Sequence, residues 1–241
     1  MGNGGLTLPE LNKESLDELR KLIEATKTQD ELKCRKYLAC VEDYLFKKDT
    51  LVSVLYSERE TPVNTGKTDY IISGIIGNNP VVNACTRTYI WELKAPQYYL
   101  FKKDTKDRLC PTKQLFEAEN QLLNYYHDLK YDLNLVKRFK AGHPANVFVG
   151  GIIIGSKDRT VRGDFEEAKK DALVETAYAI RNEYFYSHNN LWLLTWTDVL
   201  NYFEQKVNER FINLTRENTV SEYTFKDYKP KAGTISTQET I

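Results

Sequence analysis

The sequence predicts an α/β fold, a mixed sheet flanked by helices, and two patterns carry that expectation. Three runs rich in β-branched and aromatic residues, Leu51–Tyr56, Asp69–Ile76 and Arg87–Lys94, follow one another with only turns between them. That is the signature of an antiparallel meander. Downstream, segments with helical spacing of apolar residues alternate with two further strand-like runs, as helical crossovers on a sheet require. The chain has 241 residues, 41% hydrophobic and 28% charged, which suits one globular domain with decorations.

The elements are justified in order. Ser15-Leu16-Asp17-Glu18 has the capping-box pattern and opens a short helix with Leu16, Leu19 and Ile23 on one face. Thr28-Gln29-Asp30-Glu31 repeats the pattern and opens a helix to about Phe46, striped by Cys34, Leu38, Val41 and Leu45. After the Leu51–Tyr56 strand, the segment from Arg59 to Gly66, with Pro62, reads as a turn. Gly77-Asn78-Asn79-Pro80 separates the second strand from the third, and Pro96 stops the third. A loop rich in Lys and Asp follows (Lys102, Lys103, Asp104, Lys106, Asp107, Arg108). A helix then runs from Thr112 to Lys130 on Leu115, Ala118, Leu122, Tyr125 or Tyr126, and Leu129. Val147–Ile154 is apolar throughout and reads as a buried, central, parallel strand. Asp164 to Tyr186 is helical, Leu191–Thr195 is a short strand, and Thr197 to Asn213 is a last helix. The tail from Lys226 is polar, and the Gly-rich start, Met1 to Leu8, reads as unstructured.

Composition bounds the function. With 34 basic and 34 acidic residues the formal net charge is zero, so the chain is not a general nucleic-acid coat, although local patches matter more than the total. Basic clusters at Lys102–Lys113 and at Lys137, Arg138 and Lys140 could track a phosphate backbone, but Asp104 and Asp107 dilute the first, for which a solvated loop is the equal alternative. Cys34, Cys40, Cys85 and Cys110 form no Cys-x-x-Cys pair, and no signal peptide precedes them. Reduced thiols and a cytoplasmic location are therefore expected. His127, His143 and His188 lack ligand spacing, and no apolar run reaches membrane-span length.

The chemistry centres on Asp69, Glu92 and Lys94. Glu92 and Lys94 alternate with Leu93, so they share one face late in an apolar strand, where unpaired charge is costly. If that strand pairs with its predecessor, Asp69 comes close to Glu92. Two carboxylates suit Mg²⁺ or Mn²⁺, which complete their shells with water and phosphate oxygens. A lysine beside them can orient water and stabilise developing negative charge.

With strand-initial Asp69, then Glu92-Leu93-Lys94 and a helix, the chain resembles the PD-(D/E)XK nuclease superfamily, whose core is helix, three strands, helix, strand. It resembles more closely the nuclease domain of the Shedu anti-phage defence proteins, through Glu92-Leu93-Lys94-Ala95-Pro96 and then Gln121-Leu122-Leu123-Asn124-Tyr125. The Gly151–Gly155 strand and the segment from Leu191 to Leu200 belong to the same likeness, which spans Thr28 to Phe211. The resemblance implies a restriction-endonuclease-like αβββαβ core with an extra C-terminal helix, strand and helix. It implies an N-terminal extension over 1–27, a nuclease domain over 28–213 and a polar tail over 214–241.

It also implies Mg²⁺ or Mn²⁺ held by Asp69, Glu92 and the Leu93 carbonyl, catalysis by Asp69, Glu92 and Lys94 with Gln121 assisting, DNA as substrate, and a homo-oligomer. Thr68 stands where the family's Pro is often found, and the helix acid is open between Glu31 and Glu42. The expected activity is therefore a metal-dependent deoxyribonuclease in anti-phage defence. The alternatives are a catalytically silent module of the same fold, or a nuclease acting on RNA or in repair.

Overall fold

The computed structural model describes residues 9–26, 31–47, 49–77, 85–106, 108–163, 165 and 167–224, with backbone alone over 167–168 and 214–224. The first helix, α1 (Lys13–Glu24), buries Leu16, Leu19 and Ile23 as their spacing predicts. Its cap is Asn12, whose side chain accepts the Ser15 N–H at 2.8 Å, so Ser15 lies in the first turn and not before it. The stripe Cys34, Leu38, Val41 and Leu45 is fully buried, but not on one helix. The segment divides into α2 (Glu31–Arg35), a 3-10 turn over Lys36–Cys40, and α3 (Glu42–Leu45). Val41, at φ −128°, leaves helical geometry between them; core packing overrides the uniform period. Thr28-Gln29-Asp30, Asn78-Asn79-Pro80, Asp164 and the two chain ends lie outside the described residues.

The meander is present. Strands β1 (Leu51–Val63), β2 (Gly66–Ile76) and β3 (Cys85–Leu93) pair antiparallel in sequence. The Arg59–Gly66 turn is a correction: β1 continues through Pro62, opposite Lys67, and only Asn64 and Thr65 form the tip. Because β1 is an edge strand, Pro62 costs it no interior ladder bond. The Lys/Asp loop also holds structure, a hairpin of β4 (Phe101–Lys103) and β5 (Leu109–Pro111). Asp104 ties its turn, accepting the Lys106 and Arg108 N–H groups and pairing with the Arg108 guanidinium at 2.8 Å.

Thr112 caps α4 (Lys113–Tyr131), the helix expected there, and α5 (Leu133–Arg138) follows on an Asp132 cap. Next come β6 (Val147–Ile153), β7 (Val161–Arg162), α6 (Glu167–Arg181) with a π turn at Asn182–Tyr186, β8 (Trp192–Leu194), and α7 (Trp196–Thr224). The last helix runs past the expected end at Asn213.

Among the described residues the main sheet has the order β1-β2-β3-β6-β8, and a small second sheet has the order β5-β4-β7. β6 is parallel to both β3 and β8, as its unbroken apolar run predicts. The expected mixed α/β architecture is thus present. Tyr70, Tyr89, Trp91 and Leu93 meet residues of α1 to α3 and α7 on one face of the sheet. Ile71 and Ile90 meet Leu115, Leu122 and Leu129 of α4 on the other. No helix among the described residues is long and apolar enough to cross a membrane.

Gly150 is the extra residue of a bulge between β3 and β6, where Ile90 faces Val149 and Trp91 faces Gly151. A Cβ on Gly151 would come within 2.1 Å of the Trp192 carbonyl. The two glycines therefore serve strand packing, not phosphate binding. Lys47 satisfies the Val149 carbonyl at 2.8 Å and also donates to the Asn190 carbonyl. Burial lowers its amine to about 7.

Candidate active site

The site forms where β2 begins and β3 ends. Tyr70 pairs with Trp91, so one step further along the antiparallel register Asp69 stands opposite Glu92. Tyr70, Trp91 and Leu93 enter the core on the α1/α7 side. Strand alternation then turns Asp69, Glu92 and Lys94 toward α4. There the Lys94 ammonium donates to Glu92 Oε1 at 2.5 Å and to Gln121 Oε1 at 2.8 Å. Asp69 Oδ2 accepts the Leu93 N–H at 2.9 Å, so Leu93 reaches the site through its main chain alone. Asp69, Glu92, Lys94 and Gln121, together with the Leu93 backbone, are gathered in one place.

Main-chain bonds hold these groups still. The Lys94 N–H donates to the Ile153 carbonyl at 2.8 Å, and the Trp196 indole donates to the Lys94 carbonyl at 2.7 Å. From above, Asp128 of α4 accepts both the Thr65 N–H at 2.6 Å and the Thr65 hydroxyl at 2.8 Å, which latches the β1–β2 tip to the helix. Tyr125 sits beneath that tip; a Cβ on Gly66 would lie 3.2 Å from its hydroxyl. Burial, then the charges of Glu92 and Asp69, raise the Tyr125 phenol.

Electrostatics mark Glu92 most strongly. Its side chain is 2% exposed, and its Oε2 has no hydrogen-bond partner. Burial first, then the facing Asp69 carboxylate, push Glu92 up to about 9, against the opposing pull of Lys94. Near neutral pH the Glu92 carboxyl therefore keeps its proton in the metal-free chain. Burial would lower the Lys94 amine, yet Glu92, Asp69 and Glu31 hold it above the ordinary lysine value.

Of the two acids left open, Glu31 and Glu42, Glu31 lies nearer the carboxylate pair. Burial and the Asp69 charge raise Glu31 to about 7, and Lys94 acts on it in the opposite direction, so Glu31 borders the carboxylate pair. Glu42 instead accepts the Tyr70 hydroxyl at 2.9 Å. Sequence reasoning left these two open and passed over Arg35 and Glu60, which adjoin Glu31 and pair at 2.9 Å. The spacing of Glu31 and Arg35, one helical turn apart, was the signal available.

Among the described residues no three His, Cys, Asp or Glu side chains group as a ready-made metal cage. The donor set fits a hard cation nonetheless: an orphaned, buried carboxylate oxygen stands beside a second carboxylate, a combination that a divalent ion would relieve. Asp69 and Glu92 would hold such an ion, and binding it would displace the Glu92 proton. No family model matches this chain, and no curated protein matches it closely enough to count as a relative.

Proposed function

We propose that this chain is a metal-dependent deoxyribonuclease of the PD-(D/E)XK type, with the restriction-endonuclease-like core implied by its resemblance to that superfamily. One observation carries the reading: a buried Glu92 oxygen left without a partner beside Asp69, on the face where Lys94 is clamped between Glu92 and Gln121. Of the buried side-chain polar atoms without a partner among the described residues, it is the one that belongs to a carboxyl group and lies beside a second carboxylate.

A bound Mg²⁺ or Mn²⁺ would supply charge neutralisation and an acidified water. Asp69 and Glu92 would hold it, and the Leu93 main chain orients Asp69. Lys94 spends two N–H groups on Glu92 and Gln121, which leaves the third for a water or a phosphate oxygen. In hydrolysis, water attacks phosphorus, the P–O bond to the leaving oxygen breaks, and charge grows on the phosphoryl oxygens within reach of that ammonium. Action on phage DNA and assembly into a homo-oligomer belong to the proposal through the Shedu resemblance.

The test is cleavage of linear and supercoiled DNA with Mg²⁺, Mn²⁺ or a chelator. Lys94→Ala should slow metal-dependent cutting about 10³-fold, equivalent to ~4 kcal/mol, with the fold intact. Unchanged cutting by both Lys94→Ala and Asp69→Ala sinks the assignment. A silent module, the second reading, draws on the two-carboxylate donor set without a third grouped ligand. It predicts no divalent-ion binding that depends on Asp69 and Glu92.

A further inference from the structure

We infer that a basic cavity beside Glu31 receives a backbone phosphate adjacent to the one being cut, an inference that rests on the nuclease reading. The cavity measures about 570 Å³ and is lined by Leu32, Lys33, Arg35, Lys36, Arg59 and Glu60. Four cationic side chains and one carboxylate line it, with Glu31 and Glu18 at its margin, in a chain whose formal charge is zero. Such a local concentration of charge is what an anion senses.

Its place in the fold ties it to the carboxylate pair. Glu31 and Arg35 are the two ends of α2 and lie on one helix face. The register Arg59–Tyr70 and Thr61–Thr68 puts Glu60 across from Asp69. Glu60 adopts a left-handed backbone, φ 51°, and its carboxylate bonds Arg35 at 2.9 Å. A non-glycine residue keeps that conformation only where its surroundings enforce it. Arg35 is thereby buried and fixed, while Arg59 is half-buried on the edge strand β1. Lys36 lies 3.7 Å from Glu18 and stacks over Tyr37, 5.0 Å from the ring centre.

Leu32, 59% exposed, adds an apolar wall. A fixed guanidinium, further cationic side chains and one apolar surface fit a phosphate carrying a sugar better than a bare anion. The cavity also answers a difficulty of the carboxylate pair, which by itself repels the polyanion it is proposed to cut.

The experiment uses the full chain carrying Lys94→Ala, so that binding is read without cleavage, and a fluorescent duplex of about 20 base pairs in Mg²⁺. Adding Lys36→Gln and Arg59→Gln should weaken binding about tenfold. The slope of log K against log salt should fall by about 0.9, since the duplex loses one phosphate contact. Arg59→Lys should restore most of the loss, and thermal melting checks that the variants fold. An unchanged Kd and salt slope, or no binding by the parent chain, overturns the cavity assignment. If the chain with Lys94 intact cuts nothing while the salt slope still falls in the variants, the cavity stands and the nuclease reading fails.

Discussion

Two carboxylates on the α4 side of the sheet are almost equally buried and treated in opposite ways. Glu119, on α4, is 4% exposed and has both oxygens engaged, one with Arg181 at 2.7 Å and one with the Tyr186 hydroxyl at 2.7 Å. Glu92, on β3, is 2% exposed, has one oxygen engaged by Lys94, and turns the other toward like charge. The first cluster joins α4 to α6 and the π turn, and it is complete apart from the Arg181 Nε, which has no partner. The second leaves a carboxyl oxygen without a donor beside a second carboxylate. Burial does not distinguish the two groups; the difference lies in which carboxyl oxygens remain unpaired after folding.

The comparison is broken most forcefully by deletion. Arg181→Ala strands Glu119 in the interior and should lower unfolding free energy by about 3 kcal/mol, read from urea titration. Cutting activity per folded molecule should stay near the parent value. Glu92→Gln should do the reverse, leaving stability equal or higher while cleavage is lost. If both variants lose stability alike, the two clusters are not different in kind.

Acidity sharpens the contrast. The folded protein holds Glu92 at about 9 and Glu31 at about 7, both above their ordinary value of 4.5. Native molecules therefore bind more protons than unfolded ones across that window, and the stability present below pH 4.5 is lost as pH rises toward 9. Denaturant midpoints of the metal-free chain should fall over this range. Glu92→Gln should flatten the decline above pH 7, and added Mg²⁺ should raise the midpoint most where the carboxylates are ionised. A midpoint indifferent to pH would contradict the electrostatics of the site. The smallest expected effect is that of Gln121→Ala, which frees Lys94 on one side only and should lower kcat about tenfold with KM unchanged, because Gln121 positions the ammonium and does not touch the phosphate.

Much of this arrangement was legible in the residues. Alternation about Leu93 put Glu92 and Lys94 on one face, and the three consecutive strand-like runs brought Asp69 beside them. Helical spacing from Leu115 to Leu129 located α4. The choice between Glu31 and Glu42 was not legible, because it depends on a tyrosine 28 residues further along the chain that claims Glu42. Pro62 was read as a turn because its edge position becomes visible only once β1 has paired on one side. Strands of two or three residues such as β4, β5 and β7 leave no periodicity to read. The break over Lys36–Cys40 arises from packing, with the Tyr37 hydroxyl bonded to Glu18 of α1.

The Thr65–Asp128 latch has a consequence for whatever enters the site. Two hydrogen bonds at the hairpin tip, joining residues 63 positions apart, tie the strand that carries Asp69 to the helix that carries Gln121. The spacing between that strand and that helix is therefore set by the folded chain itself, before any ligand arrives.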